Sequence, residues 1–387
     1  MYPFHSLSDL GEVFVPAQFR ELVSNAASLK HFSYGDLGQL DRIFTHLRRG
    51  GAAVLSGRRD RIEEVVDYAE RKKKELAPRK EKPGRRRGFN SREKRPNRNE
   101  SASAISRLMC YADEFGNLQI DPPSNLPYLL ELLGENPGAN EGHPFLLPIT
   151  SFQKLESALS EEYPIPALGS SLVAFENVLA PRSQETIACF QDGLQSIKRH
   201  LPRQTADVLE VGCGSGCLTL LAAQELADLE AKIYASDLLP EAVATTRYNV
   251  TRNSNHAGLI QLLPAADLFD SVSAGHRFNL IIFNAPWVVS RARNRAELAI
   301  HDEGQRILSR FFDDVPQYLE PDGRIILGYA DASGPKAIES LEEIISNAGF
   351  GVESRHTKRV ATHRAKRKWE HITVYELTRC SSSLTLN

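Results

Sequence analysis

The run Leu209-Glu210-Val211-Gly212-Cys213-Gly214-Ser215-Gly216-Cys217 joins an apolar strand to a helix rich in Leu and Ala. Glycines at such a junction permit a tight turn and let a ligand press against backbone. The helix start behind it offers N–H groups that have no partner inside the helix. A nicotinamide dinucleotide and the methyl donor S-adenosylmethionine can both use this architecture. Three details favour the methyl donor. Position 217, where a dinucleotide fingerprint wants a third close-packing Gly or Ala, is Cys. Glu210 stands at the strand end, where a carboxylate can help to hold the donor's ammonium group. No arrangement for hydride transfer occurs elsewhere in the sequence.

Two further acids fall at successive strand ends. Asp237 ends the second strand, where a carboxylate can accept both ribose hydroxyl protons. Asp267, in Ala265-Ala266-Asp267-Leu268-Phe269, is placed to meet an adenine amino group. Either alone reads as a solvated loop acid. Together, behind the glycine turn, they read as a nucleoside site. The fourth strand ends in Phe283-Asn284-Ala285-Pro286-Trp287. The Asn284 side chain and the Ala285 carbonyl can accept hydrogen bonds from a planar nitrogen, and Trp287 can stack on its flat group. Such contacts aim a delocalised lone pair at a methyl carbon, and orientation of this kind removes several kcal/mol of barrier. No general base is nominated. The candidate donor-site residues are therefore Glu210, Gly212, Gly214, Gly216, Asp237, Asp267 and Asn284, and the candidate catalytic residues are Asn284, Pro286 and Trp287. No metal site is expected.

The Asn-Ala-Pro-Trp turn resembles the (Asn/Asp)-Pro-Pro-(Tyr/Phe/Trp) motif of N-methyltransferases that act on planar nitrogens. With Asp267-Leu268-Phe269, the upstream Val178-Leu179-Ala180-Pro181-Arg182-Ser183-Gln184-Glu185-Thr186 and the later Ala299-Ile300-His301-Asp302-Glu303-Gly304, it is similar to the HemK family. Those enzymes methylate the glutamine amide of peptide release factors. The resemblance covers roughly Tyr163 to Arg379. It implies a cytoplasmic, S-adenosylmethionine-dependent N-methyltransferase acting on an amide or guanidino nitrogen of a protein or small molecule. The sequence departs from the family where Ala285 replaces the first Pro, and in an N-terminal region much larger than the family's small helical domain.

Short apolar strands alternate with helices from Asp207 onward, which calls for a parallel sheet covered on both faces. Helices are expected at Ser215–Ala227, Pro240–Asn253, Asp302–Leu319 and Pro335–Ala348. Two final strands, Phe350–Ser354 and His371–Leu377, have no helix between them. An antiparallel end on a doubly wound sheet points to the seven-stranded Rossmann-like methyltransferase sheet. The predicted organisation is α/β: a helical region over 1–70, a basic disordered linker over 71–100, a continued accessory domain over 101–162, and the methyltransferase domain over 163–387. The N-terminal domain is expected to be mostly α, and Tyr163–Val178 to form a hairpin about Gly169.

A net charge of −2 conceals segregation. Residues 71–100 carry fourteen Lys/Arg against four Glu, a local +10 set against −12 elsewhere. So charged and apolar-poor a stretch cannot offset its ordering entropy by burial. A second basic run, Lys358–Lys368, with six Lys/Arg and His363, is placed in the loop between the last two strands. Solvated segments are the plain reading of both. The alternative is an anion funnel, which would make the substrate an RNA base amine. No apolar run is long enough to span a bilayer. The N-terminus lacks the regions of a signal peptide. The five cysteines show no CxxC spacing, as expected of a reducing compartment.

Overall fold

A computed structural model describes residues 4–33, 35–36, 38–76, 104–126, 128–136, 138–203, 205–253, 255–361 and 368–380. The chain divides into two units, Met1–Glu156 and Ser157–Asn387. The first unit, expected to be mostly α, carries its helices on a sheet. Along its main path Phe4–Leu7, Gly11–Phe14, Phe145–Pro148, Leu108–Ala112, Ala52–Leu55 and Leu29–Phe32 lie side by side. The apolar residues Ile43 and Leu47 are buried in the helix Leu40–Arg48. The strands between the helices escaped notice because they are four or five residues long. Ala52–Leu55 and Phe145–Pro148 are buried throughout, so they show no period-two alternation. The helix Arg59–Leu76 carries Arg71 and the following lysines, so the basic segment begins as helix. The rest of that expected linker lies outside the described residues.

The second unit opens with the hairpin Tyr163–Ile165 and Ser170–Leu172, as expected, with Gly169 in the left-handed region between them. Its main sheet has seven strands: β1 (Asp207–Val211), β2 (Lys232–Ser236), β3 (Ile260–Leu262), β4 (Phe278–Asn284), β5 (Leu319–Ala330), β6 (Phe350–Ala361) and β7 (Trp369–Arg379). They lie in the order β3-β2-β1-β4-β5-β7-β6. The first five are parallel, and β7 runs antiparallel to both β5 and β6. The helices are α1 (Gln184–Ile197), α2 (Cys217–Glu225), α3 (Pro240–Asn253), α4 (Arg306–Tyr318) and α5 (Pro335–Asn347). Successive residues of a strand point to opposite faces. On β4, Leu280 and Ile282 enter a core with Phe190 and Leu221, while Ile281 and Phe283 enter another with Phe311 and Phe312. Two cores are why these strands read as unbroken apolar runs.

The reversal of strand order between β1 and β4 opens a crevice at the strand C-termini, where α/β sheets bind ligands. Two expectations need correction. The helix expected from Asp302 begins at Arg306, and buried Asp302 caps it by accepting the Ile307 and Leu308 N–H groups, each at 3.0 Å. The last two strands run far past their apolar residues, because ladder bonds are made by backbone. Lys358 and Arg359 therefore lie on β6 and not in a loop: Lys358 pairs with Asp192 at 2.6 Å, and Arg359 lies over the Trp369 ring at 4.3 Å. Thr362 to Arg367 lie outside the described residues.

Candidate active site

The glycine turn is built on the end of β1. Gly212 and Cys213 both donate their N–H to the Ser236 carbonyl of β2, at 2.9 Å each. Gly212, Gly214 and Gly216 all have positive φ, of 75°, 54° and 77°. L side chains are strained there. The three glycines are not equivalent. A Cβ on Gly214 would meet nothing within 4 Å, because it would stand in the cleft. A Cβ on Gly216 would come within 2.8 Å of Thr246 on α3, so this glycine lets α2 and α3 pack, and it lies outside the cleft lining. Gly212 lines the cleft beneath Phe283.

Asp237, just past β2, closes the turn from the other side. Gly214 N–H donates to its Oδ2 and Leu239 N–H to its Oδ1, both at 2.9 Å. Burial pushes its carboxyl up, and those backbone bonds oppose the shift. Each oxygen keeps accepting capacity. Glu210 is buried below the turn and accepts from the Thr219 hydroxyl of α2. Burial pushes its carboxyl up to about 8. Glu210 is buried and Asp237 partly so, and among the described residues neither pairs with a cation; acidic groups withdrawn from water favour a cationic or hydroxyl-rich ligand. Asp267 lines the same cleft, but its Oδ2 is engaged by Arg310 at 2.8 Å. Leu268 beside it has a φ of 43°, a conformation rare for a leucine and one that the sequence does not betray.

Across the switch point, β4 delivers Asn284, Pro286 and Trp287 to the same cleft. The Asn284 side-chain oxygen is buried and has no hydrogen-bond partner among the described residues. An orphan acceptor costs about 1–3 kcal/mol where a ligand does not satisfy it. Ala285 is buried, and its N–H donates to the Gly328 carbonyl of β5 at 3.1 Å. The turn that follows is held from outside by Ser333, whose hydroxyl donates to the Trp287 carbonyl and accepts the Val289 N–H, both at 2.9 Å. Val288 bridges to His301, fixing the connection up to Asp302. The upstream run Asn177–Ser183 forms the opposite wall. All the nominated residues except Gly216 thus share one cleft. Thr219, Thr246, Gly328 and Ser333 went unnoticed because each acts through a partner distant in sequence.

The family model for the methyltransferase small domain matches residues 190–356. The stretch contains the glycine turn, both strand-end acids and the Asn-Ala-Pro-Trp turn. This second unit is similar to methyltransferases of the HemK-like kind. Its methyl donor is S-adenosylmethionine, and the open space above Gly214, the buried Glu210 and the partly buried Asp237 fit that molecule. The domain is 26% identical over 160 residues to the release factor glutamine methyltransferase of Salmonella typhimurium, covering 39% of this chain and 54% of that protein. It is 25% identical over 178 residues to the release factor glutamine methyltransferase of Koribacter versatilis, covering 42% and 60%. It is 30% identical over 186 residues to the ribosomal protein uL3 glutamine methyltransferase of Burkholderia pseudomallei, covering 43% and 58%. The chain thus matches little more than half the length of these relatives. Among the described residues, no group of side chains could hold a metal ion, and no helix is long and apolar enough to cross a membrane.

Proposed function

We propose that this methyltransferase modifies a planar amide nitrogen of a protein, in the first instance a glutamine side chain. The observation that carries the proposal is Asn284 in the wall of the donor cleft, with a buried side-chain oxygen that has no partner among the described residues. A primary amide has two N–H groups to give and no cation to repel, so it suits an uncharged acceptor. The relatives named for glutamine methylation favour the same substrate class.

S-adenosylmethionine supplies a methyl carbon made electrophilic by its sulfonium. Gly212 and Gly214 would admit the donor to the backbone, Glu210 would hold its ammonium end, Asp237 would accept from the ribose, and Asp267 would border the adenine. Asn284 would accept from the amide N–H groups, turning the nitrogen lone pair toward the methyl carbon. As the nitrogen took the methyl group the carbon–sulfur bond would break to leave a neutral thioether, the N–H groups would become more acidic and be held more tightly by the fixed acceptor, and one proton would pass to water. Pro286 stiffens the turn, and Trp287 covers the amide plane. We place the enzyme in the cytoplasm, where its cysteines, all free, remain reduced. The 71–100 segment and the rest of Met1–Glu156 are then accessory, and we assign choice of the protein substrate to that part.

An RNA base amine is the competing substrate. Its support was the two basic segments 71–100 and 358–368, yet in the second of them Lys358 is held by Asp192 and Arg359 by Trp369. The deciding experiment supplies methyl-labelled donor to the enzyme in fractionated cell extract. Label in protein supports the proposal, whereas label confined to RNA or to small molecules overturns it.

A further inference from the structure

Glu241 sits in the first turn of α3, four residues beyond Asp237, with its side chain only 11% exposed. Both of its oxygens are occupied by distant parts of the chain. Asn177 Nδ2 donates to Oε1 at 3.2 Å. Arg295 donates through Nε to Oε1 at 3.0 Å and through its terminal nitrogen to Oε2 at 2.8 Å. The second arrangement is the two-pronged guanidinium–carboxylate fork, the strongest geometry this pair can adopt.

An acid in a first helical turn is favourable on its own, because it meets the positive end of the helix dipole. That effect needs no burial and no partner. Here the carboxylate is withdrawn from water and shared between residues 64 and 54 positions away in sequence. Its two partners belong to the two walls of the cleft. Asn177, held at a φ of 69°, starts the Asn177–Ser183 wall upstream of α1. Arg295 lies in the connection that follows the Asn-Ala-Pro-Trp turn, ahead of the lining residues Leu298 and Ala299. Glu241's own helix contributes Ala242 to the lining, and Leu239 lines it just ahead of that helix. One carboxylate therefore ties three segments that a molecule in the cleft would touch separately.

We propose that Glu241 is a positioning residue that couples the donor seat to the acceptor-side connection, an inference that rests on the donor assignment above. Donor resting on the Asp237 end of α3 favours the arrangement in which Arg295 is docked. Docking of Arg295 favours the donor by the same factor, since coupling between two binding events is reciprocal. Removing the carboxylate's charge, or its guanidinium partner, uncouples the two.

Arg293, 84% exposed, and exposed Arg291 make the connection readable by trypsin without any methyl acceptor. The experiment measures cleavage after Arg291 and Arg293 in the full-length chain, with and without S-adenosylmethionine, beside calorimetric donor affinity. In the unaltered chain, donor should slow cleavage on the order of 10-fold, within the usual range of coupling. In Glu241→Gln, and separately in Arg295→Leu, that protection should vanish and donor affinity fall by a similar factor. Arg295→Lys should restore only part of both, since an ammonium cannot reproduce the fork. Arg295 is half exposed, so its variants test the proposal even where Glu241→Gln folds poorly. Unaltered donor protection in Arg295→Leu would overturn the coupling while leaving the donor assignment intact. Absence of donor binding in the unaltered chain would overturn both.

Discussion

Gly328 on β5 faces Asn284 on β4, and a Cβ at position 328 would stand 2.8 Å from the Asn284 side-chain oxygen. The same Cβ would meet the Phe190 ring at 2.4 Å. The absence of a side chain at 328 thus makes room for the proposed acceptor group at the end of the neighbouring strand. Gly328→Ala should push Asn284 off its position and lower turnover by about tenfold or more, while donor affinity stays unchanged. Overpacking against Phe190 should also cost about 1–3 kcal/mol of stability. Kinetics and thermal unfolding of the variant read the two effects apart, and full turnover would detach Asn284 from the chemistry.

Donor affinity should depend on the link between Gly214 and Asp237. Gly214→Val places a branched side chain in the cleft at a φ of 54°, and Asp237→Ala removes the acceptor for two backbone N–H groups. Calorimetry with S-adenosylmethionine should show binding lost or severely weakened in both. Unchanged affinity in two folded variants would refute the donor seat described here.

Glu210 gives the donor-free protein a pH dependence of definite sign. Its folded pKa of about 8 lies above the ordinary value of 4.5, so the folded state holds the proton more tightly. The resulting stability is complete below about pH 4.5, declines as the pH rises, and is gone above about pH 8. Glu210→Gln should therefore flatten the fall of thermal midpoint between pH 5 and 8, to within about half a unit at each end. Equal slopes in the two proteins would show that Glu210 is ionised in the fold.

Ser333 is exposed, yet its hydroxyl fastens the backbone on both sides of Val288. Ser333→Ala should leave the fold intact and let Trp287 drift. For a methyl acceptor found by labelling, KM should rise by about five- to tenfold, the worth of one or two hydrogen bonds. The maximal rate should fall less, and Ser333→Thr should restore KM. A fall in rate at constant KM would place Trp287 outside substrate binding.

The strand and helix alternation of the second unit was legible because buried parallel strands are apolar on both faces, as Leu280–Phe283 show. The glycine turn and the strand-end acids were legible because local backbone geometry demands those residue types. The four-residue strands of the first unit were too short for any period to emerge. The extension of β6 and β7 through polar residues was hidden, since ladder bonds do not depend on side chains. Glu241, Gly328 and Ser333 were hidden for a different reason. Each looks ordinary in its own segment, and its partner is supplied only by the tertiary fold. Asp267 was found, but its pairing with Arg310 was not.

The most direct measurement is single-turnover methyl transfer by Asn284→Ala to the acceptor recovered from the labelled protein fraction. If the buried Asn284 oxygen accepts from the reacting amide, an interaction that strengthens toward the transition state is lost. The rate should fall on the order of 10²-fold or more, as for one lost preorganised hydrogen-bonding group. Donor affinity should barely change, because the donor rests on the glycine turn, Glu210 and Asp237. Transfer at the unaltered rate would contradict the assignment and leave the Asn-Ala-Pro-Trp turn a structural feature of the sheet end.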